Sequence, residues 1–117
     1  MKIAHITIQT KHFDKEIKFY ETYTGMTVKT DMRPMGRNMV FLAEEKGDTE
    51  IEIIEKPESD NTGNDNFSIG FHGDDIDAMR DQLAEEGFEV TPFITPAPNV
   101  RFFFVKDPAG VNVQFME

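Results

Sequence analysis

Apolar and polar residues alternate from Ile3 to Gln9. Ala4, Ile6 and Ile8 fall on one face and Ile3, His5, Thr7 and Gln9 on the other, the pattern of a half-buried strand. The period then changes: Phe13, Ile17, Tyr20 and Tyr23 recur at helical spacing, and Gly25 supplies a stop. Three further strands are predicted, Met26 to Met32, Asn38 to Ala43 and Thr49 to Glu55, parted by turns at Arg33-Pro34-Met35-Gly36 and Lys46-Gly47-Asp48. The first half therefore reads β-α-β-β-β. Lys56 to Asn66 has no apolar period and reads as a loop.

The same order then repeats. Phe67 to His72 is a predicted strand, and Asp74 or Asp75 caps a helix with the stripe Ile76, Met79, Leu83 and a stop at Gly87. Phe88 to Ile94 is expected to be a strand and Pro96-Ala97-Pro98 a turn. The run from Arg101 to Glu117 reads as two strands about an Asp107-Pro108-Ala109-Gly110 turn. An offset of about 62 residues sets Gly25 against Gly87 and the strand of His5 against that of Ser68, so the chain carries two copies of one unit. The expected fold is α+β: one domain over 1–117, with modules of about 1–55 and 67–117.

Strand parity picks out the residues with chemistry to offer. His5 shares a face with Thr7 and Gln9, Glu52 with Glu50 and Ile54, Ser68 with Gly70 and His72, and Gln114 with Asn112 and Met116. The opposite faces carry Ile6, Ile8, Ile51, Ile53, Ile69, Phe71, Val113 and Phe115, the natural partners of the two helices. Burying so many polar groups without a partner costs about 1 to 3 kcal/mol each, so curved mixed sheets around a small-molecule cavity explain them better than a packed core. Phe102, Phe103 and Phe104 are expected to be core on one face and cavity wall on the other. His72 is a candidate ligand-binding residue two pleats from Ser68, and Arg101 a candidate anchor for an anionic substrate group.

Charge and composition narrow the partners. With 12 Lys and Arg against 22 Asp and Glu, the formal charge of -10 repels phosphate backbones and anionic lipid, so neither nucleic acid nor a membrane surface is expected. There is no cysteine, hence no disulfide framework or thiolate chemistry, and Met1-Lys2-Ile3-Ala4-His5 lacks the apolar core of a signal peptide. A cytoplasmic location is expected.

Two β-α-β-β-β units resemble the vicinal oxygen chelate superfamily of glyoxalase I, bleomycin-resistance proteins and extradiol dioxygenases. The resemblance rests on Ala4-His5-Ile6, Phe19-Tyr20 with Gly25-Met26, Ile51-Glu52-Ile53, Ile69-Gly70-Phe71, Asp74-Asp75-Ile76-Asp77, Glu86-Gly87-Phe88 and Phe104-Val105-Lys106-Asp107-Pro108-Ala109-Gly110. In the glyoxalase I branch four positions bind a divalent metal. The resemblance places them on His5, Glu52, Ser68 and Gln114, of which Ser68 departs from the usual His and Gln114 from the usual Glu. It implies a metal ion on His5, Glu52 and Gln114, with Glu52 and Gln114 as catalytic residues and Ser68 at the ligand, and nickel or zinc are the metals such a ligand set favours. In such a mechanism the ion polarises a carbonyl while a carboxylate moves a proton between adjacent carbons. It also implies a homodimer. Loss of one imidazole and one carboxylate leaves a second reading open, a metal-free protein that holds a cationic or aromatic compound.

Overall fold

The computed structural model describes residues 1–60 and 63–117, and the predicted loop's residues 61 and 62 lie outside the described residues. The chain divides into two compact units, Met1–Asn61 and Thr62–Glu117, each a β-α-β-β-β run. In the first, β1 (His5–Thr10), α1 (Phe13–Tyr23), β2 (Thr27–Asp31), β3 (Met39–Ala43) and β4 (Glu50–Glu55) form an open sheet in the order β1-β4-β3-β2. β1 runs parallel to β4 and the other pairs are antiparallel. Ile8, Ile51, Ile53, Val40 and Leu42 are buried, as are Phe13, Ile17 and Tyr20 on the helix, and α1 lies against β4. The helix stops where the alternation needs it to: Thr24 donates its hydroxyl to the Tyr20 carbonyl at 2.5 Å, and Gly25 takes φ 75°, a left-handed value that costs glycine nothing.

In the second unit β5 (Ser68–His72), α2 (Ile76–Glu85), β6 (Ile94–Ala97), β7 (Val100–Lys106) and β8 (Asn112–Met116) form an open sheet in the order β5-β8-β7-β6. β5 runs parallel to β8. Asp75 is the cap, its carboxylate accepting from the Ala78 amide at 3.1 Å. At the other end the Phe88 amide reaches the Leu83 carbonyl and the Gly87 amide the Ala84 carbonyl, a Schellman closure. Phe103, Val105, Val113 and Phe115 are buried on one face, and Phe102, Phe104, Gln114 and Met116 stand half-buried on the other. No helix among the described residues is long and apolar enough to cross a membrane.

The strand expected at Phe88 to Ile94 does not form. Only a bridge from Val90 to Val105 is made there, and the regular strand is Ile94–Ala97, where a turn was expected. Three local facts break the ladder. The Thr91 carbonyl is taken by Nε of Arg80 at 2.7 Å, its hydroxyl takes the Phe104 amide at 2.9 Å, and Pro92 has no amide to offer. The chain re-joins β7 beyond Pro92 as an edge strand, where Pro96 is tolerated. The turn proper is Pro98-Asn99, with Asn99 at φ 66°.

The β7-β8 turn is fastened by one carboxylate. Asp107 is 4% exposed, and its Oδ1 accepts from the amides of Ala109 at 2.8 Å and Val111 at 2.9 Å. Its backbone closes the turn through Gly110 and Val111, with Gly110 at φ 84°. Replacing Asp107 with alanine orphans both amides, and we expect a loss of about 3 kcal/mol in urea unfolding. A change below about 0.5 kcal/mol, the size of an ordinary surface substitution, would show that solvent replaces the carboxylate.

Candidate functional site

In the first unit Glu52 stands on the central strand β4, with Thr7 of β1 its direct partner on one side and Phe41 of β3 on the other. Phe41 has no donor, so the carboxylate leans toward β1. There the Thr7 hydroxyl donates to Oε1 at 2.6 Å, and Nε2 of His5 lies 3.6 Å from the same oxygen. The latter exceeds a hydrogen bond, so the carboxylate does not engage that ring nitrogen. The imidazole packs against the Phe41 ring edge-on at 5.8 Å. The side chain of His5 is 44% exposed and that of Glu52 12%, so the imidazole is open to solvent and the carboxylate beside it is largely covered.

In the second unit the equivalent register carries neutral groups. Ser68 partners Asn112, and Gly70 partners Gln114. A Cβ at Gly70 would lie 3.3 Å from Oε1 of Gln114 and 3.0 Å from Cε of Met116, so the missing side chain is what leaves the amide its room. Ser68, Phe67, Phe104, Asn112 and Asp65 line a cavity of about 390 Å³. Nζ of Lys106 donates to the side-chain Oδ1 of Asn112 at 2.9 Å. His72 is exposed, with Nδ1 3.3 Å from the Glu117 carbonyl oxygen.

Arg101 is not where the sequence suggested. Its neighbours Phe102 and Phe104 pair with Met116 and Gln114, so alternation sends Arg101 to the opposite face with Phe103 and Val105. There Nη1 and Nη2 hold Asp77 at 3.1 and 2.6 Å, Nε holds Glu117 at 2.7 Å, and the guanidinium lies 4.4 Å from the centre of Phe93. This arginine ties α2 to β7 rather than standing over the polar face.

The donor set suits a divalent cation in part. An imidazole and a carboxylate side by side are the ligands nickel and zinc take. Among the described residues, no group of three His, Cys, Asp or Glu comes together. Thr7 and Phe41 were not singled out from sequence; the available signal was only that Thr7 shares the face of His5, since Phe41 joins the site through a strand register.

The chain belongs to the Glyoxalase/Bleomycin resistance protein/Dioxygenase superfamily, whose profile matches residues 2–115. It is 30% identical to a lactoylglutathione lyase of Haemophilus influenzae over all of this chain and 93% of that one. Its fold is that of the trypanothione-dependent glyoxalase I of Leishmania major, at TM-score 0.79 and 19% identity over 100% of this chain and 86% of that chain. It is also that of an antibiotic-binding protein from a Streptomyces species, at TM-score 0.70 and 19% identity over 98% and 93%.

The Arg101 cluster makes a pH prediction. Hydrogen bonding to the Arg101 guanidinium holds the Asp77 carboxyl below its ordinary range. A depressed folded value means that this contribution is present above the unfolded value, about 3.9, and is lost as pH falls through the folded one. We therefore expect Asp77→Asn to melt lower than wild type at neutral pH, with the two curves converging below about pH 4. Parallel melting curves from pH 7 to pH 3 would assign the contact no part in acid stability.

Proposed function

We propose that the protein acts on a small molecule at its polar sheet faces with the help of a divalent cation, nickel or zinc, held by His5 and Glu52. The observation that carries this is the pair itself: an accessible imidazole nitrogen 3.6 Å from a carboxylate oxygen, on adjacent parallel strands. Gln114 is the third ligand the family resemblance supplies, a neutral amide with room made for it by Gly70. When bound, such an ion would polarise a substrate carbonyl. Glu52 is then the group to hold and move a proton, Gln114 orients the substrate, and Ser68 and His72 offer hydrogen bonds to the rest of it. The lactoylglutathione lyase relative suggests a lyase or isomerase reaction on a small carbonyl compound.

The second reading is a metal-free binder. What favours it is Ser68, a hydroxyl where a second imidazole would serve, beside a cavity walled by Phe67 and Phe104. The antibiotic-binding relative in fold gives that reading a precedent. In either case we read the 117 residues as one cytoplasmic domain of two modules that works as a homodimer, since β1 and β5 each form an edge of a four-stranded sheet.

Calorimetric titration of metal-free protein with nickel decides between them. We expect wild type to bind one ion per chain, His5→Ala and Glu52→Gln to lose about tenfold or more in affinity, and Ser68→His to gain. Equal binding by wild type and His5→Ala removes the cation from the account and leaves the binder. For assembly, light scattering at tens of micromolar protein, roughly the range set by ordinary interface affinities, should give twice the chain mass. A single-chain mass there would sink the dimer.

A further inference from the structure

We propose that the open face of the second unit holds an aromatic carboxylate, its anionic end on Lys106 and its ring over Gly70 against Phe104. This rests on the reading of that face as a small-molecule site and adds to it the class of ligand; it is independent of any cation in the first unit. Strand register lines up the groups. Ser68 of β5, Asn112 of β8 and Lys106 of β7 stand side by side in one row, a hydroxyl, an amide and an ammonium. The next row, two residues along, is Gly70, Gln114 and Phe104. The rows are about 7 Å apart, a span covered by a ring and a carboxylate parted by two methylenes. Phe67, Ser68, Phe104 and Asn112 wall the cavity of about 390 Å³ at this end of the face.

Lys106 is the cation of this unit left for a ligand. Arg80 gives Nε to the Thr91 carbonyl and Arg101 holds Asp77 and Glu117, with both guanidiniums beside Phe93. The Lys106 side chain is 38% exposed and donates to a neutral partner, Oδ1 of Asn112. An ammonium has three donors, so N–H groups remain for an incoming anion. Its ion-pair partner among the described residues, Asp65, is 3.8 Å away, beyond a hydrogen bond, and 96% exposed, so water screens the pair. Nδ2 of Asn112 lies 3.5 Å from the Asn64 carbonyl oxygen, long for a hydrogen bond, and is open to a carboxylate beside Lys106. The net charge of -10 favours a cation at long range, but salt screens that field, and the contact made here is with an ammonium. Gly70 supplies room for the ring. Its φ is not among the positive ones, so the backbone does not call for glycine, and a glycine inside a strand weakens it. A Cβ there would meet Cε of Met116 at 3.0 Å and Oε1 of Gln114 at 3.3 Å. What the glycine gives is a close approach to the strand from the open face. Phe104 is the adjoining wall, its ring met edge-on by Phe102 at 5.7 Å.

The test is a nuclear magnetic resonance titration of the full chain, read at the Gly70 amide, with probes that share one ring: 3-phenylpropionate, 3-phenylpropanamide and 3-phenylpropylamine. We expect 3-phenylpropionate to bind with a Kd on the order of 1 mM, the level of a ligand this small, and the amide and the amine to bind about fivefold or more weakly. Lys106→Met, which keeps the apolar stem, should weaken 3-phenylpropionate about fivefold and leave the amide within about twofold, while Lys106→Arg should stay within about threefold of wild type. Asp65→Asn, a change at an exposed side chain, should tighten 3-phenylpropionate about twofold by removing a competing charge. Binding of the amide or the amine as tight as that of the carboxylate overturns the class of ligand and leaves the small-molecule reading standing. Equal binding of 3-phenylpropionate by wild type and Lys106→Met overturns the proposal as well. If no probe moves the Gly70 amide at about 20 mM, well above the expected Kd, the proposal and the reading of this face as a binding site fall together.

Discussion

One helix of ten or eleven residues covers one face of a four-stranded sheet in each unit, and the identity of every candidate residue follows from which side of that sheet it occupies. Side chains alternate along a strand, so filling the helix-covered face with Ile8, Ile51, Ile53, Val113 and Phe115 commits every second residue to the uncovered one. That face cannot be made apolar without exposing a broad hydrophobic patch, and cannot be made polar and buried without partners. Polar residues on an open face meet both conditions at once. A shift of one residue in the pairing of β1 with β4 would turn His5 and Thr7 toward α1 and Ile6 and Ile8 to the outside, so the core and the site hold each other in register.

Duplication of the unit makes the two faces comparable position by position. Where the first has Thr7 against Glu52, the second has Gly70 against Gln114; where the first has His5 against Glu50, the second has Ser68 against Asn112. The backbone pairing is the same and the chemistry is not. The first face concentrates an imidazole and a carboxylate, and the second offers a hydroxyl, amides and the rings of Phe102 and Phe104.

The fold was legible because its signals are local. Period-two strands, two helices stopped by Gly25 and Gly87, and the Asp107 turn can each be read from a short window. The failures lie where tertiary contacts override the window. Nothing near Phe88 to Ile94 announces that Arg80, eleven residues before Thr91, takes its carbonyl and ends the ladder. The face of Arg101 was equally hidden: in Phe102-Phe103-Phe104 every residue is aromatic, so the run does not say which parity is inward, and only pairing with β8 decides it. Thr7 could be put on the face of His5, but its bond to Glu52 spans 45 residues of chain and depends on a register that one strand alone does not contain.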